Sequence, residues 1–265
     1  MNSTARALIW SEFVERTRDR WVLVISLTFT VLASGVSLYA RGAEANAAYL
    51  SGPSLVTLTS LFVPLVALVL GHDAIVGERE RNTLGLLLSL PVSRVEVVLA
   101  KYIGRLVALS VSVSLGLGVA VLIAEASQRQ VLIELIGPTL VLGAAFLSLG
   151  MLISSFSERQ ATATSLVVAS WFSLVFFYDL GLLALLVGTD GAVEQEVIVQ
   201  LVQANPVGLY RIQMMQIFAG VEVFSDLGIA QASLRGSTLW LRWLGVCAGP
   251  LLLSALLLQL RKVER

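Results

Sequence analysis

Six apolar runs follow one another along the 265 residues, at 21–39, 54–76, 102–124, 132–156, 162–187 and 238–260. Each is close to the roughly 20 residues that a helix needs to cross the hydrocarbon core of a bilayer. An unpaired backbone group costs several kcal/mol in lipid, so runs of this length are predicted to be helices, and the alternation expected of barrel strands is absent. Hydrophobic residues make up 57% of the chain and charged residues 14%, more apolar surface than a soluble core of this size can hide. The predicted fold class is all-α, a polytopic membrane protein with six transmembrane helices and a single domain spanning 1–265.

Six spans place both termini on one side, and the basic residues select it by the positive-inside rule. Arg6, Arg16, Arg18, Arg20, Arg79, Arg81, Arg94, Lys101, Arg105, Arg159, Arg261, Lys262 and Arg265 fall on the terminal side. Arg41, Arg129, Arg211, Arg235 and Arg242 fall on the other. Thirteen against five puts both termini in the cytoplasm. Ala43, Glu44 and Ala45 form an A-x-A behind the first run, the mark of a cleaved signal peptide. The charged leader of about twenty residues fits an uncleaved anchor better. Within that leader (1–20), Leu8, Ile9, Phe13 and Val14 recur at helical spacing among charges, which suits either an interfacial amphipathic helix or a solvated segment.

Several function classes are excluded. One histidine cannot build the two-histidine zinc motif, and one cysteine, Cys247, forms no intrachain disulfide. Eighteen basic residues balance eighteen acidic ones, which gives no argument for nucleic acid. Lys101 and Lys262 are the only lysines, and neither sits in a G-x-x-x-x-G-K-[ST] loop, so ATP is not hydrolysed by this chain. No catalytic residue and no metal or other cofactor site is expected on it.

The segment 77–101 is the most informative. Glu78, Arg79, Glu80 and Arg81 alternate in sign where the second run leaves the membrane, either solvated or paired with charges on a neighbour. Asn82 and Thr83 then cap a short helix whose Leu84, Leu87 and Leu88 share a face that needs covering, and Pro91 stops it. Ser93 and Glu96 make a capping box that starts the helix of the third span. Lys101 and Arg105 on that helix are placed to snorkel to the lipid headgroups.

This ordered set, Glu78 to Arg81, Thr83 to Leu88, Pro91 to Arg94 and then Lys101, resembles the first cytoplasmic loop of the ABC-2 permeases. The resemblance implies the ABC-2 (ABCG-like exporter) transmembrane domain and favours an interfacial helix for the leader. It implies a permease that pairs with a second copy and with a cytoplasmic ABC ATPase dimer carrying the ATP and Mg. Glu78, Arg79, Glu80, Arg81, Thr83, Leu84, Leu87, Leu88, Pro91 and Arg94 would form the ATPase-coupling segment. Asn82 departs from the glycine commoner there. Within the family the chain most resembles permease subunits of the Nos transporters, in 18–21, 73–83, 171–187 with Tyr178 and Asp179, and Asn205, Pro206, Tyr210 and Arg211. That likeness implies a part in copper-site assembly of nitrous oxide reductase from the inner membrane. It also implies an outer segment, 188–237, that docks a periplasmic accessory protein through Asn205, Pro206, Tyr210 and Arg211. His72 departs from an expected tyrosine.

Single residues remain. The outer segment of about fifty residues is too long for a bare loop, so it should carry short helices dipping into the membrane or a docking face. Asp179 within the fifth run needs a partner, either a Ser or Thr of a neighbouring helix or a polar point on a path or gate between copies. His72 and Asp73 are adjacent and splay about 100° apart on a helix, which favours interfacial anchors over a metal site. Met214, Met215 and Cys247 read as packing rather than copper ligands. The stripes Ser112, Gly116, Ala120 and Ser110, Ser114, Gly118 allow close helix contact within one copy or between two. Other functions compatible with the residues are an exporter of lipid, drug or polysaccharide, and an ion channel or passive scaffold. A membrane-embedded enzyme finds no clustered acids, histidines or nucleophile.

Overall fold

The computed structural model describes residues 3–18, 20–42, 48–89, 91–124, 126–226 and 236–260. Among them five helical stretches are long and apolar enough to cross a membrane: Pro53–Glu80, Arg94–Ile123, Arg129–Phe156, Gln160–Gly188 and Thr238–Leu260. They correspond to the second to sixth predicted runs. Ala43, Glu44 and Ala45, Arg235 and the basic C-terminal residues 261–265 lie outside the described residues.

The chain opens with α1 (Ser3–Arg18), the leader expected from its helical spacing, and continues into α2 (Arg20–Gly42). At about 1.5 Å per residue the 23 residues of α2 reach roughly 34 Å, enough for the first span. α3 (Ala48–Gly71) is followed by a turn at 72–75, then by the short α4 (Val76–Glu80) and α5 (Leu84–Leu88). α6 (Arg94–Ile123) starts at the predicted capping box: Ser93 Oγ accepts from Glu96 N–H, and the Glu96 carboxylate accepts from Ser93 N–H at 2.8 Å. α7 (Ala126–Phe156) completes the centre of the bundle with α3 and α6.

Small residues set the crossings. A Cβ on Gly71 would lie 2.8 Å from the Leu147 carbonyl, and one on Gly150 2.8 Å from that of Leu68, so α3 and α7 touch backbone to backbone. A Cβ on Gly116 would meet the Phe29 side chain at 2.6 Å, and Ser112 and Ala120 are buried with it. That stripe therefore packs α6 on α2 within one subunit, whereas Gly118 of the parallel stripe faces open space.

The fifth span is α8 (Gln160–Phe172), a π-helical turn at Ser173–Phe177 and α9 (Tyr178–Gly188). α10 (Gln195–Ala204) and α11 (Pro206–Asp226) form a helical hairpin, and α12 (Gly236–Leu260) is the last span. The tip of the hairpin is anchored deep in the bundle: Asn205 Nδ2 donates to the carbonyl of Leu174, near the middle of the fifth span, at 2.6 Å. The segment thus carries helices of its own, as its length led one to expect. Pro206 occupies the first helical position behind the capping Asn205, whose Oδ1 accepts from Val207 N–H at 3.1 Å. Gly208 follows because a Cβ there would sit 2.2 Å from the Val202 carbonyl.

Candidate functional site

At the end of the bundle where α1, α4 and α5 gather, six charged side chains turn inward. Lys101 lies between the carboxylates of Glu12, on α1, and Glu78, on α4, the latter at 3.0 Å. Arg105, one turn along α6, reaches Asp73 Oδ1 at 2.5 Å and Glu12 Oε2 at 3.4 Å. Arg16 of α1 holds the other oxygen of Asp73 at 2.9 Å. Three acids thus neutralise three bases across α1, α6 and the α3–α4 junction. Lys101 and Arg105 are each only 1% exposed, which corrects the expectation that they snorkel to headgroups. Lys101 and Arg105, four residues apart on α6, both reach Glu12 of α1, while Arg16, four residues beyond Glu12, reaches Asp73, so the opposite charges satisfy each other without solvent. A Cβ on Gly104 would lie 2.7 Å from Glu12 Cβ, so this glycine lets α1 lie close enough on α6 for the pairs to form. Asp73 is likewise buried, not an interfacial anchor; its neighbour His72 contacts the Val69 carbonyl through Nδ1.

The turn at 72–75 breaks a helix beside this cluster, and its orphan backbone groups are satisfied from other spans. Arg105 donates to the Leu70 carbonyl near the end of α3. Ser154 Oγ of α7 accepts from the N–H groups of Ile75 and Val76, at 2.9 and 3.0 Å, at the start of α4.

The sequence-predicted coupling residues are brought together here. Arg79 donates to the Ser157 carbonyl past the end of α7, and the Glu80 carboxylate accepts from Gln160 N–H at the start of α8 at 2.7 Å. Arg81 is exposed, 3.9 Å from Glu15. Arg94 donates to the carbonyls of Leu258 and Gln259, closing the last turn of α12 at 2.7 and 3.1 Å. Asn82 adopts φ 58°, a left-handed conformation that glycine or asparagine fills most readily, which accounts for its place in the turn. Thr83 stands at the N-cap of α5 but makes no capping bond; its hydroxyl binds back to Glu78. Leu84 and Leu88 pack against this chain's own core, and the side chain most offered to a neighbour is Leu86, 71% exposed. Leu87 is half-buried between them and Pro91 is exposed. Leu86 was missed because the sequence pattern follows the apolar face, and that face turns into the subunit.

The chain that carries this pair of short helices at the base of its bundle matches a family model described as "ABC-2 family transporter protein" over residues 6–263. The chain belongs to the ABC-2 transporter family. It is 33% identical over 256 residues to "Probable ABC transporter permease protein NosY" of Pseudomonas aeruginosa, covering 88% of this permease and 91% of that protein. The protein of the same description from Stutzerimonas stutzeri is 34% identical over 254 residues, 89% and 91% of the two chains.

At the other end of the permease, Asp179 finds its partner in Arg211 of α11 rather than a Ser or Thr. Tyr178 donates to the Leu201 carbonyl at 2.6 Å. Of the four residues expected to dock an outer partner, Asn205 and Tyr210 are buried and offer no surface. The Tyr210 hydroxyl lies between Thr59 and Thr139, at 2.6 and 3.2 Å, and joins α11 to α3 and α7. Pro206 is half-buried, and Arg211 is taken up by Asp179. Met214 is buried and the adjacent Met215 exposed, so the two do not converge.

Proposed function

We propose that α5 seats in a separate cytoplasmic ATPase subunit and that α4, with the charge cluster behind it, transmits the closing of that ATPase to the spans. One observation carries the reading: the five-residue α4 is fastened to α6 by Glu78 and Lys101, to the α7 end by Arg79 and to the start of α8 by Glu80. A push on α5 meets a unit, not a loop. Two copies of the permease and two ATPase copies, which carry the ATP and Mg, make the working assembly, since six spans without a nucleotide site are half of a symmetric machine. The excess of basic residues at this end supports an inner-membrane protein with both termini cytoplasmic. Likeness to the NosY proteins supports the finer reading, a role in copper-site assembly of nitrous oxide reductase, by transport or by a conformational signal to a periplasmic accessory protein.

The test is purification of the tagged chain in mild detergent, with mass spectrometry of co-purifying subunits and an ATPase assay. An ABC ATPase is expected with the unaltered chain and lost with Leu86→Asp at unchanged thermal stability, whereas Leu84→Asp lowers stability itself. A chain that purifies alone, or ATPase binding indifferent to both Leu86→Asp and Leu87→Asp, overturns the coupling reading. Full copper occupancy of nitrous oxide reductase in cells lacking the chain overturns the finer one.

A further inference from the structure

Both α6 and α12 pack along α7, but they meet each other far less closely, and a groove of about 430 Å³ lies between them. Leu140 and Ala144 of α7 form its floor, Tyr102 and Ser110 of α6 one wall, and Trp243 and Cys247 of α12 the other. Its volume falls within the roughly 300–1,000 Å³ of sites that take small ligands. The floor lies at hydrocarbon depth: Leu140 is eleven residues from Arg129 and Ala144 twelve from Phe156, the two ends of that span, or roughly 16 and 18 Å.

The polar atoms around the groove are already engaged inside the subunit. The Tyr102 hydroxyl donates to the Ala144 carbonyl at 3.1 Å, Ser110 Oγ to that of Leu106 at 2.7 Å, and Trp243 Nε1 to Gln213 Oε1 at 3.0 Å. The Cys247 thiol counts as a small hydrophobe. A held water needs two to four polar partners, and the groove offers it none. Its occupant is therefore a hydrocarbon. One polar handle remains, at the end away from the charge cluster. Trp240, which also lines the groove, sits two residues inside the Thr238 end of the last span and is 58% exposed, and its indole N–H has no partner among the described residues. Tryptophan at such a place turns its N–H toward the polar atoms of lipid. From Trp240 to Cys247 the wall runs seven residues, about 10 Å, which fits inside one leaflet of the bilayer.

We propose that this groove is a lipid site, in which an acyl chain of a membrane phospholipid lies between α6 and α12 while an ester or phosphate oxygen of the same lipid accepts from Trp240. The site is separate from the coupling segment and stands or falls without it.

The test places the protein in phosphatidylethanolamine vesicles containing a phosphatidylcholine with a diazirine on its acyl chain. Irradiation is expected to label Ala144 and Cys247 more heavily than Leu122 and Leu183, which are exposed outside the groove. Native mass spectrometry of the detergent-purified protein is expected to find phospholipid retained. Ala144→Leu, which fills the floor, should lose both the retained lipid and the excess label. Trp240→Phe keeps the ring and removes the donor on an exposed side chain, so it carries the test should Ala144→Leu fail to fold; it is expected to weaken retention at unchanged yield. Label no heavier at the groove than at Leu122 and Leu183 overturns the site, as does retention indifferent to the folded variants. Groove residues shielded from label, with a second protein chain covering them, overturn it equally.

Discussion

The carboxylate of Asp73 stands 2.5 Å from the guanidinium of Arg105, with both groups withdrawn from solvent at the point where α3 gives way to α4. Removing one partner leaves the buried cluster of three acids and three bases with an unbalanced charge, at a cost of about 3–5 kcal/mol. Asp73→Asn is therefore expected to lower the unfolding temperature of the detergent-purified protein sharply, and Arg105→Gln likewise. The double variant should lose less than the two single losses combined, because the cluster that remains is again neutral. Thermal unfolding of the three variants checks this, and strict additivity would show that the pair does not act as one.

Ser154→Ala tests the hinge from the other side. Its hydroxyl accepts from two consecutive N–H groups, those of Ile75 and Val76, in a buried place. Their loss is expected to cost about 1–3 kcal/mol. Hydrogen exchange at Ile75 and Val76 should rise well before that of the neighbouring turns of α3. Unchanged exchange there would mean that another group, not Ser154, caps α4.

Much of this architecture is legible in the sequence, and the parts that are not share one physical cause. Runs of apolar residues fix the spans, and Ser93 with Glu96, or Asn205 with Pro206, mark helix starts because capping is local chemistry. Which face of a helix turns inward is not local. Lys101 and Arg105 look like headgroup anchors until α1 is laid against them, and α1 brings Glu12 and Arg16 at the same four-residue spacing. Two bases four residues apart on α6, an acid on α1 and Asp73 just beyond α3 are the signal that points to the cluster. Asn205 and Tyr210 likewise read as surface recognition residues, yet a hairpin returning into the bundle makes them internal ties. Leu86 is the reverse case, an apolar residue off the apolar face that ends outside.

The α3–α7 crossing predicts a contrast between glycines. Gly71→Ala and Gly150→Ala each drive a methyl into backbone, at 2.8 Å from a carbonyl that cannot rotate away. Overpacking of this kind typically costs about 1–3 kcal/mol, and here it also pries α7, which carries Ser154, from α3, which leads into the turn that carries Asp73. Gly118→Ala and Gly137→Ala, which meet nothing within 4 Å, are expected to leave unfolding temperature and yield unchanged. Equal behaviour of the two sets would mean that α3 and α7 cross elsewhere.

The tip of the α10–α11 hairpin makes a prediction about one amide. Asn205 uses both ends of its side chain: Oδ1 accepts from Val207 N–H and caps α11, and Nδ2 donates to the Leu174 carbonyl inside the π-helical turn. Asn205→Asp keeps the acceptor and removes the donor, so an ionised carboxylate would face a carbonyl in a buried site, which is repulsive. Asn205→Ala removes both bonds without adding a charge. If the hairpin is held chiefly by its cap, the aspartate should be the milder change, since aspartate caps as well as asparagine. With the bond to Leu174 in place the order reverses, and Asn205→Asp is expected to lower the unfolding temperature at least as much as Asn205→Ala. Protease accessibility of 188–204 in oriented vesicles should rise in parallel, because this tip and the Tyr178–Leu201 bond draw α10 into the bundle.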